Sequence, residues 1–572
     1  MAISNGNIPF NNFSSGGILS SHIIPGAYSH IVANVGSAGV VQGNVGVIMG
    51  QCTQGQPQVL MQFNSPTQAE QTLGSGELCD AVRMAFNPSP NYTPQAIYAM
   101  RVNSATQSTL NLSNAIPNVV IALTSADYGL ITQQVNITIS AGTNVGQKLV
   151  INFQNNTQTF DNTYRSSLTL THATATVSIT TNSGTNTMVL SVGTYTIQLA
   201  NYPTLAALAA YINTLTGYTA VVTAGQSNAS PLLLDSTASA QSLLGGYVCT
   251  SNMQAVIDTI NNNCIYATAV AANGANNRTA PSNIATTYFG TGTDGTYTAT
   301  DWTNALTAMT AYNVNFIATP NSSASVWASI SAHVTSMCAP SGRKERQFLC
   351  GNAYGTTDTQ RVTDAQTLNS QYGMYVVQGF TQYNINGIAT QYGAGYTACL
   401  LLGIICSTAI NMPLTSKTLN VISLEANLPT SRVEPLLSNG CCVVNYDASG
   451  LPKIVRQLNS YQTANLLWNE WSSVREMNYV SLDLRNYLQN LYVGQPGSNF
   501  SQGVIIGAVT ARLKYYVSQG IFTADNTGKS FWNIQISLNG SVLTIDYDAY
   551  ITLPINFVFL TQHFHDVVQA VS

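Results

Sequence analysis

Apolar and polar positions recur along this chain with two different periods, and the change of period divides it into parts. Two short apolar runs, Val314–Thr319 and Gln347–Cys350, bracket a stretch in which Val326, Ile330 and Val334 return every four residues. That spacing lines one face of a helix, so the segment predicts strand, helix, strand with the strands parallel and the sheet covered by helices. The rhythm continues with a predicted helix over Asp358–Ser370, a strand over Met374–Phe380 and a very apolar helix over Tyr396–Ile410. Upstream, Thr300 can cap a helix carrying Trp302, Leu306 and Met309. Nearer the start, Gly46–Gly50, Ala69–Phe86 and Ala96–Val102 read as strand, helix and strand. Together these segments predict a central doubly wound α/β layer.

Between about 111 and 236 the period falls to two. Val135–Ser140, Leu149–Gln154, Ser167–Thr180, Thr187–Ala200 and Ala220–Thr223 alternate Thr, Val, Ser and Ile, interrupted by a helix over Thr204–Leu215. Such alternation predicts a mostly antiparallel β domain with one polar face, inserted on the outer surface. Residues 237–285 are expected to lead back to the central layer. Beyond Pro413–Leu419 a helix opens at Thr430, and Gly440–Tyr446 and Pro452–Gln457 form a strand pair. Helices over Val474–Val493 and Gly503–Gln519 follow, then strands over Asn533–Leu538, Val542–Ala549 and Ile555–Leu560. The stretch Phe557–Val571 stays apolar, and a terminal apolar strand with an unpaired edge invites another chain. Residues 1–28 show neither period and end on the turn signal Pro25-Gly26, yet Ile18, Leu19, Ile23 and Ile24 give them apolar content.

The expected fold class is therefore α/β and α+β multidomain. An N-terminal arm (1–28) precedes a central α/β domain (29–110 and 237–415) carrying an inserted β-rich outer domain (111–236). A C-terminal α+β domain (416–556) and a terminal arm or strand (557–572) complete the chain.

Composition sharpens this picture. Charged residues are 7% of the 572, against about 25% in an average protein, and the formal net charge is −4. Asn, Thr, Ser, Gln and Gly cover the surface instead, so copies of the chain repel one another little and are suited to dense packing. The absence of a basic run argues against direct nucleic-acid binding. Tyr396–Ile410 is shorter than a membrane span requires, which argues against membrane insertion. Met1–Asn12 has neither the charged nor the apolar part of a signal peptide. The ten cysteines form no C-x-x-C, and Cys399 and Cys406 fall on an apolar helix, as structural thiols in a cytoplasmic product do.

No catalytic constellation emerges. Gly290-Thr-Gly292-Thr-Asp-Gly295 matches G-x-G-x-x-G, but Thr296–Ala299 separates it from the next helix and no strand leads into it, so it reads as a loop. His563 and His565 would share one side of a strand without a third ligand, and the other histidines, His22, His30, His172 and His333, are scattered. There is no G-x-S-x-G elbow and no Walker-type loop. The inserted domain offers only Asp127, Asp161 and Asp235 as carboxylates, too few for a carbohydrate-active enzyme. No cofactor, metal or catalytic residue is assigned. The densest charge cluster, Arg343, Lys344, Glu345 and Arg346, reads as a surface turn making ion pairs between subunits.

A G-x-D-G loop before a Trp-containing helix, a strand ending in Pro, a helix and then Gly-Arg-Lys-Glu-Arg resembles contractile phage tail sheath proteins. The stretch from VGVIMGQCTQGQ to PQAIYAMRVN is similar to that family's opening domain, and GVIIGAVTARLKYYVSQGIFTADN with SVLTIDYDAYITLPINFVFLTQHF to its closing domain. One departure is local: Arg456 is followed by Gln457-Leu458-Asn459-Ser460 where relatives often carry Gly-Ile-Thr-Thr. The resemblance implies a structural subunit that polymerises around a tail tube and contracts without nucleotide. It implies a tail tube protein and the baseplate and tail terminator proteins as partners besides other copies of the chain, in a virion assembled in host cytoplasm. The N-terminal arm (Ile18, Leu19, Ile23, Ile24) and the C-terminal strand (Phe557, Val558, Phe559, Leu560) would add to another subunit's C-terminal sheet. By the same analogy the helix Gly503–Gln519 faces the tube through Arg512 and Lys514. Other self-assembling classes stay open, namely a tailocin or injection-system sheath, a capsid protein or a surface-layer protein.

Overall fold

The computed structural model describes residues 44–272, 277–496, 500–539 and 541–562, and the backbone alone of 11–15 and 18–22. The chain divides into two units, Met1–Gln42 and Gly43–Ser572. In the first, Asn11–Ser15 pairs antiparallel with Ile18–His22, a hairpin where the sequence shows no strand period.

The second unit holds an eight-stranded sheet in the order Pro452–Arg456, Cys441–Tyr446, Gly373–Val377, Gln347–Gly351, Phe316–Ala318, Gly46–Gly50, Ile97–Arg101, Leu60–Phe63. The inner six run parallel, and the two edge strands are antiparallel. Side chains alternate across it, Ile48 packing on one face and Val47 and Met49 on the other. The first face is covered by Pro66–Leu73, Glu77–Ala85 and the buried Ala394–Ser407. Ala299–Met309, Ala324–Cys338 and Thr430–Ser438 cover the second. This is a doubly wound layer.

Several boundaries differ from expectation for local reasons. Thr298, not Thr300, caps the Trp302 helix, because Asp301 returns a bond to the Thr298 N–H and closes a capping box. The single helix expected over 69–86 is two, broken where Gly74 and Gly76 take φ of 71° and 112°. A side chain at Gly74 would meet Thr53 Oγ1 at 2.6 Å. The strands 441–446 and 452–456, expected in the C-terminal domain, extend the central sheet, with Tyr375 opposite Cys441. Cys441–Val444 is buried without alternation, as a strand covered on both faces must be.

The β-rich region has two cores and reaches further along the chain than 111–236. One is closed by the strands 109–113, 119–125, 136–141, 147–153 and 267–271 with the helix Asn252–Asn263. The other gathers 166–171, 176–181, 186–190 and 247–250 around Leu168, Ile179 and Met188, with the helix Leu205–Ile212. Strands 267–271 and 284–288, expected to lead back to the central layer, pair instead with 119–125 and 136–141. The strand expected over Ser167–Thr180 breaks at His172, whose Nδ1 accepts the N–H groups of Thr174 and Ala175, and its halves 166–171 and 176–181 join different sheets. Arg101, wholly buried at the end of a central strand, ties this region to the layer through Asp294. It donates to Gly55 O (2.9 Å) and Asp294 O (3.3 Å) and lies 3.6 Å from the Asp294 carboxylate, which accepts the Leu130 N–H of the β-rich region at 2.9 Å.

The C-terminal part packs Trp471–Tyr492, Gln502–Ser518 and the hairpin Phe531–Asn539/Val542–Ala549 around Leu484, Val509, Leu513 and Tyr516.

Candidate self-association surface

The fold suggests one ligand site by rule, and the chain fills it itself. Doubly wound sheets bind ligands beyond the C-terminal ends of their strands where the winding reverses, here between Gly46–Gly50 and Phe316–Ala318. There the Glu77 carboxylate accepts the Gln51 N–H at 3.2 Å, and Gly50 faces Glu77, Leu78 and Pro320. Burial raises the Glu77 carboxyl above its ordinary range. The G-x-G-x-x-G loop is spent in a similar way: Gly290 N donates to Thr109 O and Thr293 N to Thr106 Oγ1. Its amides therefore hold a neighbouring strand rather than face an open phosphate site. Among the described residues no group of three His, Cys, Asp or Glu is placed to hold a metal, and no helix is long and apolar enough to cross a membrane.

The open surface lies at the C-terminal hairpin. Its two strands pair only with each other among the described residues, so no further strand lies on either edge, and the Gln502 amide donates to one backbone carbonyl, Ile536 O, at 3.0 Å. Leu543, Ile545 and Tyr547 turn one apolar face inward and stay half-buried, while Leu538 and Val542 near the tip are 50% and 60% exposed. Between that face and the long helix runs a groove of ≈ 1500 Å³, lined by Val480, Leu484 and Leu488 from the helix. These three recur every four residues, and that stripe was the signal in the sequence that could have marked the groove. A two-stranded ribbon over an incompletely filled apolar groove is the shape that further strands complete.

Beyond the hairpin the chain does not form the expected strand at 555–560. Ile555, Phe557, Val558, Phe559 and Leu560 are 85%, 69%, 84%, 94% and 76% exposed. Apolar residues with strand propensity lack a partner strand here, so the backbone ladder that would define the element is missing. Phe557 is the one tethered at its ring, lying 5.7 Å beneath the Arg456 guanidinium. Ile18 and Leu19 sit in the backbone hairpin of the first unit, and Ile23, Ile24, His563 and His565 lie outside the described residues.

The charged residues divide differently from the expectation. Arg346 is fully buried and cannot reach another subunit. Its guanidinium donates to Met309 O (3.0 Å), Tyr312 O (2.6 Å) and His333 Nε2 (2.6 Å). Burial, then the Arg346 charge, drives the His333 pKa down to about 4, so the ring accepts as a neutral imidazole. Glu345 is also buried and pairs within the chain, its two oxygens each 2.6 Å from an Arg485 nitrogen. Lys344 is half-buried and donates to Thr310 O at 2.6 Å, and Arg343 is the exposed member of the four. Arg512 is likewise taken: Asp483 accepts from its Nε (2.7 Å) and Nη2 (2.5 Å) and from the Tyr516 hydroxyl (2.5 Å). The Asp483 partner, 29 residues away, has no local spacing that would reveal it. Lys514, two residues on and so on nearly the opposite side of the same helix, is exposed.

Residues 295–460 match the family model described as the phage tail sheath protein central domain, and this stretch holds five strands of the eight-stranded sheet, from Phe316–Ala318 through Gln347–Gly351, Gly373–Val377 and Cys441–Tyr446 to Pro452–Arg456. The chain is 23% identical to the tail sheath protein of Bacillus phage SP01 over 94% of its own length and 95% of that protein's. Its fold is shared with sheath tail proteins from Listeria innocua (TM-score 0.54, 14% identity, 88% of this chain and 92% of that one) and Desulfitobacterium hafniense (0.53, 10%, 92% and 100%).

Proposed function

We propose that this chain is the structural subunit of a contractile phage tail sheath, polymerising around a tail tube and contracting to drive the tube through the host envelope. The observation that carries the proposal is the pairing of an incomplete surface with a segment able to complete it. Among the described residues the hairpin 531–549 lies over an apolar groove with no further strand on either edge, and the same chain ends its described part in an exposed apolar extended segment, 553–562. Their union between copies is β-augmentation, in which backbone hydrogen bonds hold the lattice whatever the side chains do. Contacts of that heterologous kind need not close on themselves and so extend into a helical array. The low charge of the surface suits dense packing of such copies.

In this reading residues 1–28 form a second exchanged arm and the two-cored β region forms the outer layer. The exposed Lys514 meets the tube, while baseplate and terminator proteins cap the ends. The particle is a virion tail assembled in host cytoplasm, and the role is structural, with no enzymatic step. Contraction draws on the difference between two packings of the same subunits, so no nucleotide enters it.

Negative-stain electron microscopy of the full chain beside forms lacking residues 1–24 or 553–572 tests this. The expected result is striated hollow tubes from the full chain and dispersed particles from both deletions. Closed shells or flat lattices would transfer the assignment to the capsid or surface-layer class.

A further inference from the structure

After the hairpin the chain is fastened at two points, Thr552 and Asn556–Phe557, between which Ile555 is already exposed. Thr552 first pairs back onto the turn that leads into the hairpin, its N–H donating to Ile521 O (3.0 Å) and its hydroxyl to Gly520 O (2.9 Å). Four residues later the attachment changes partner. Asn556 Nδ2 donates to Glu470 Oε1 at 3.0 Å, and the Phe557 ring lies beneath the Arg456 guanidinium. Neither Glu470 nor Arg456 belongs to the hairpin. Arg456 ends the edge strand of the eight-stranded sheet, and Glu470 precedes the long helix while its backbone bridges to Leu458. Arg456 donates to the same carboxylate oxygen through Nε (2.8 Å) and Nη2 (2.6 Å), and Glu470 is 2% exposed. Glu470 Oε2 and Asn556 Oδ1 are enclosed as well, without a donor.

With the carboxylate buried and the guanidinium about a quarter exposed, the pair recovers little of its desolvation cost through attraction, and what it supplies is geometry: one Glu470 oxygen is held by two Arg456 N–H groups. We infer that Glu470 and Arg456 form a clasp on Asn556 and Phe557 that sets the direction in which the following segment leaves, so that this direction belongs to the central layer and not to the hairpin. The inference rests on the proposed role of 553–572 as a segment received by another copy. Rotation of one subunit's central layer then turns its departing segment, and with it the neighbouring hairpin that holds that segment. The clasp is the joint through which layer motion passes from copy to copy. Glu470 and Arg456 are positioning residues in this scheme, because the strand pairing itself is made beyond them.

The test is a pulsed electron-spin distance measurement on the unpolymerised full chain, diluted with unlabelled chain so that only intrachain distances register. Nitroxides are placed at Val558 and at Ser449, in the turn beside the sheet edge, through non-cysteine chemistry. A second pair, Ser541 with Ser449, reports on the hairpin. Asn556→Ala and Phe557→Ala remove the arm's half of the clasp and leave the Glu470–Arg456 pair in place, which guards against misfolding. The expected result is a narrow 558–449 distribution that broadens about twofold in the variants while 541–449 is unchanged. A 558–449 distribution already broad in the parent chain, or unchanged in the variants, or broadening equal to that of 541–449, overturns the clasp. Tube formation is read separately: a chain with an intact clasp that makes no tubes refutes the sheath proposal and not the clasp.

Discussion

Replacing Asp483 with Asn tests how the C-terminal helices are held together. Asp483 is 13% exposed in its side chain and Arg512 26%, so the pair is only partly screened by water. The carboxylate accepts two guanidinium bonds and one phenol bond, and the Arg512 guanidinium also stacks 4.5 Å from the Tyr515 ring centroid. An amide in its place keeps the shape, removes the charge and turns one acceptor into a donor aimed at Arg512 or Tyr516. A charge-assisted bond contributes about 1.5–3 kcal/mol, and partial exposure together with the surviving cation–π contact keeps the loss near the lower half, about 2 kcal/mol. That corresponds to about thirtyfold faster amide exchange in the helix Gln502–Ser518, every 1.4 kcal/mol being a factor of about ten. Arg512→Met should cost a similar amount, and the double variant less than the sum, giving a coupling near 1.5 kcal/mol. Exchange altered less than about twofold in both single variants would refute the placement of Arg512 as an internal strut and restore it to the outer, tube-facing role.

Four further outcomes follow from the same geometry. Lys514→Glu should leave exchange in that helix unchanged and yet weaken co-sedimentation with the tail tube protein, separating contact from stability. Arg485→Met leaves the buried Glu345 carboxylate with the Ser481 hydroxyl alone and should destabilise the junction of the 342–346 turn with the long helix by about 2 kcal/mol, read by local exchange. His333 is a base whose folded pKa, about 4, lies below its unfolded value of 6.5, so the unfolded chain takes the proton first. Stability should fall as pH drops from 6.5 towards 4, and His333→Gln should flatten that part of the profile. Glu476 is an acid pushed up to about 9 by burial, so its unfolded form ionises first and stability should fall as pH rises from 4.5 towards 9. Glu476→Gln should therefore gain about 1–2 kcal/mol at pH 8 by chemical denaturation and lose the advantage near pH 5.

The central layer was legible because its signals are local. Four-residue spacing in Val326, Ile330 and Val334 and the short apolar runs around it are properties of one element each, and the structure returns them as Ala324–Cys338 between parallel strands. Placement of strands was less legible, since pairing is set by burial at long range. Cys441–Tyr446 reads as a strand from its residues, but nothing in them says that Tyr375 is its neighbour. Breaks inside elements depended on single contacts, such as the approach of Thr53 to Gly74 or the side-chain turn at His172. Charged residues were the least legible. In a chain with so few charges each one draws the eye to the surface, yet Arg346, Glu345 and Arg512 are consumed by partners far away in sequence. The exposed segment 555–560 shows the converse. Its residues favour a strand, and a strand cannot form without a second edge to pair with.

The most direct test of the sheath assignment is a cryo-EM map of tubes formed by the full chain, at a resolution that traces backbone. In such tubes the hairpin 531–549 of each copy should be widened by strands contributed from other copies, with residues 555–560 of one of them paired along a hairpin edge. Ordered tubes in which both hairpin edges stay unpaired, or in which 555–560 folds back on its own subunit, would contradict it.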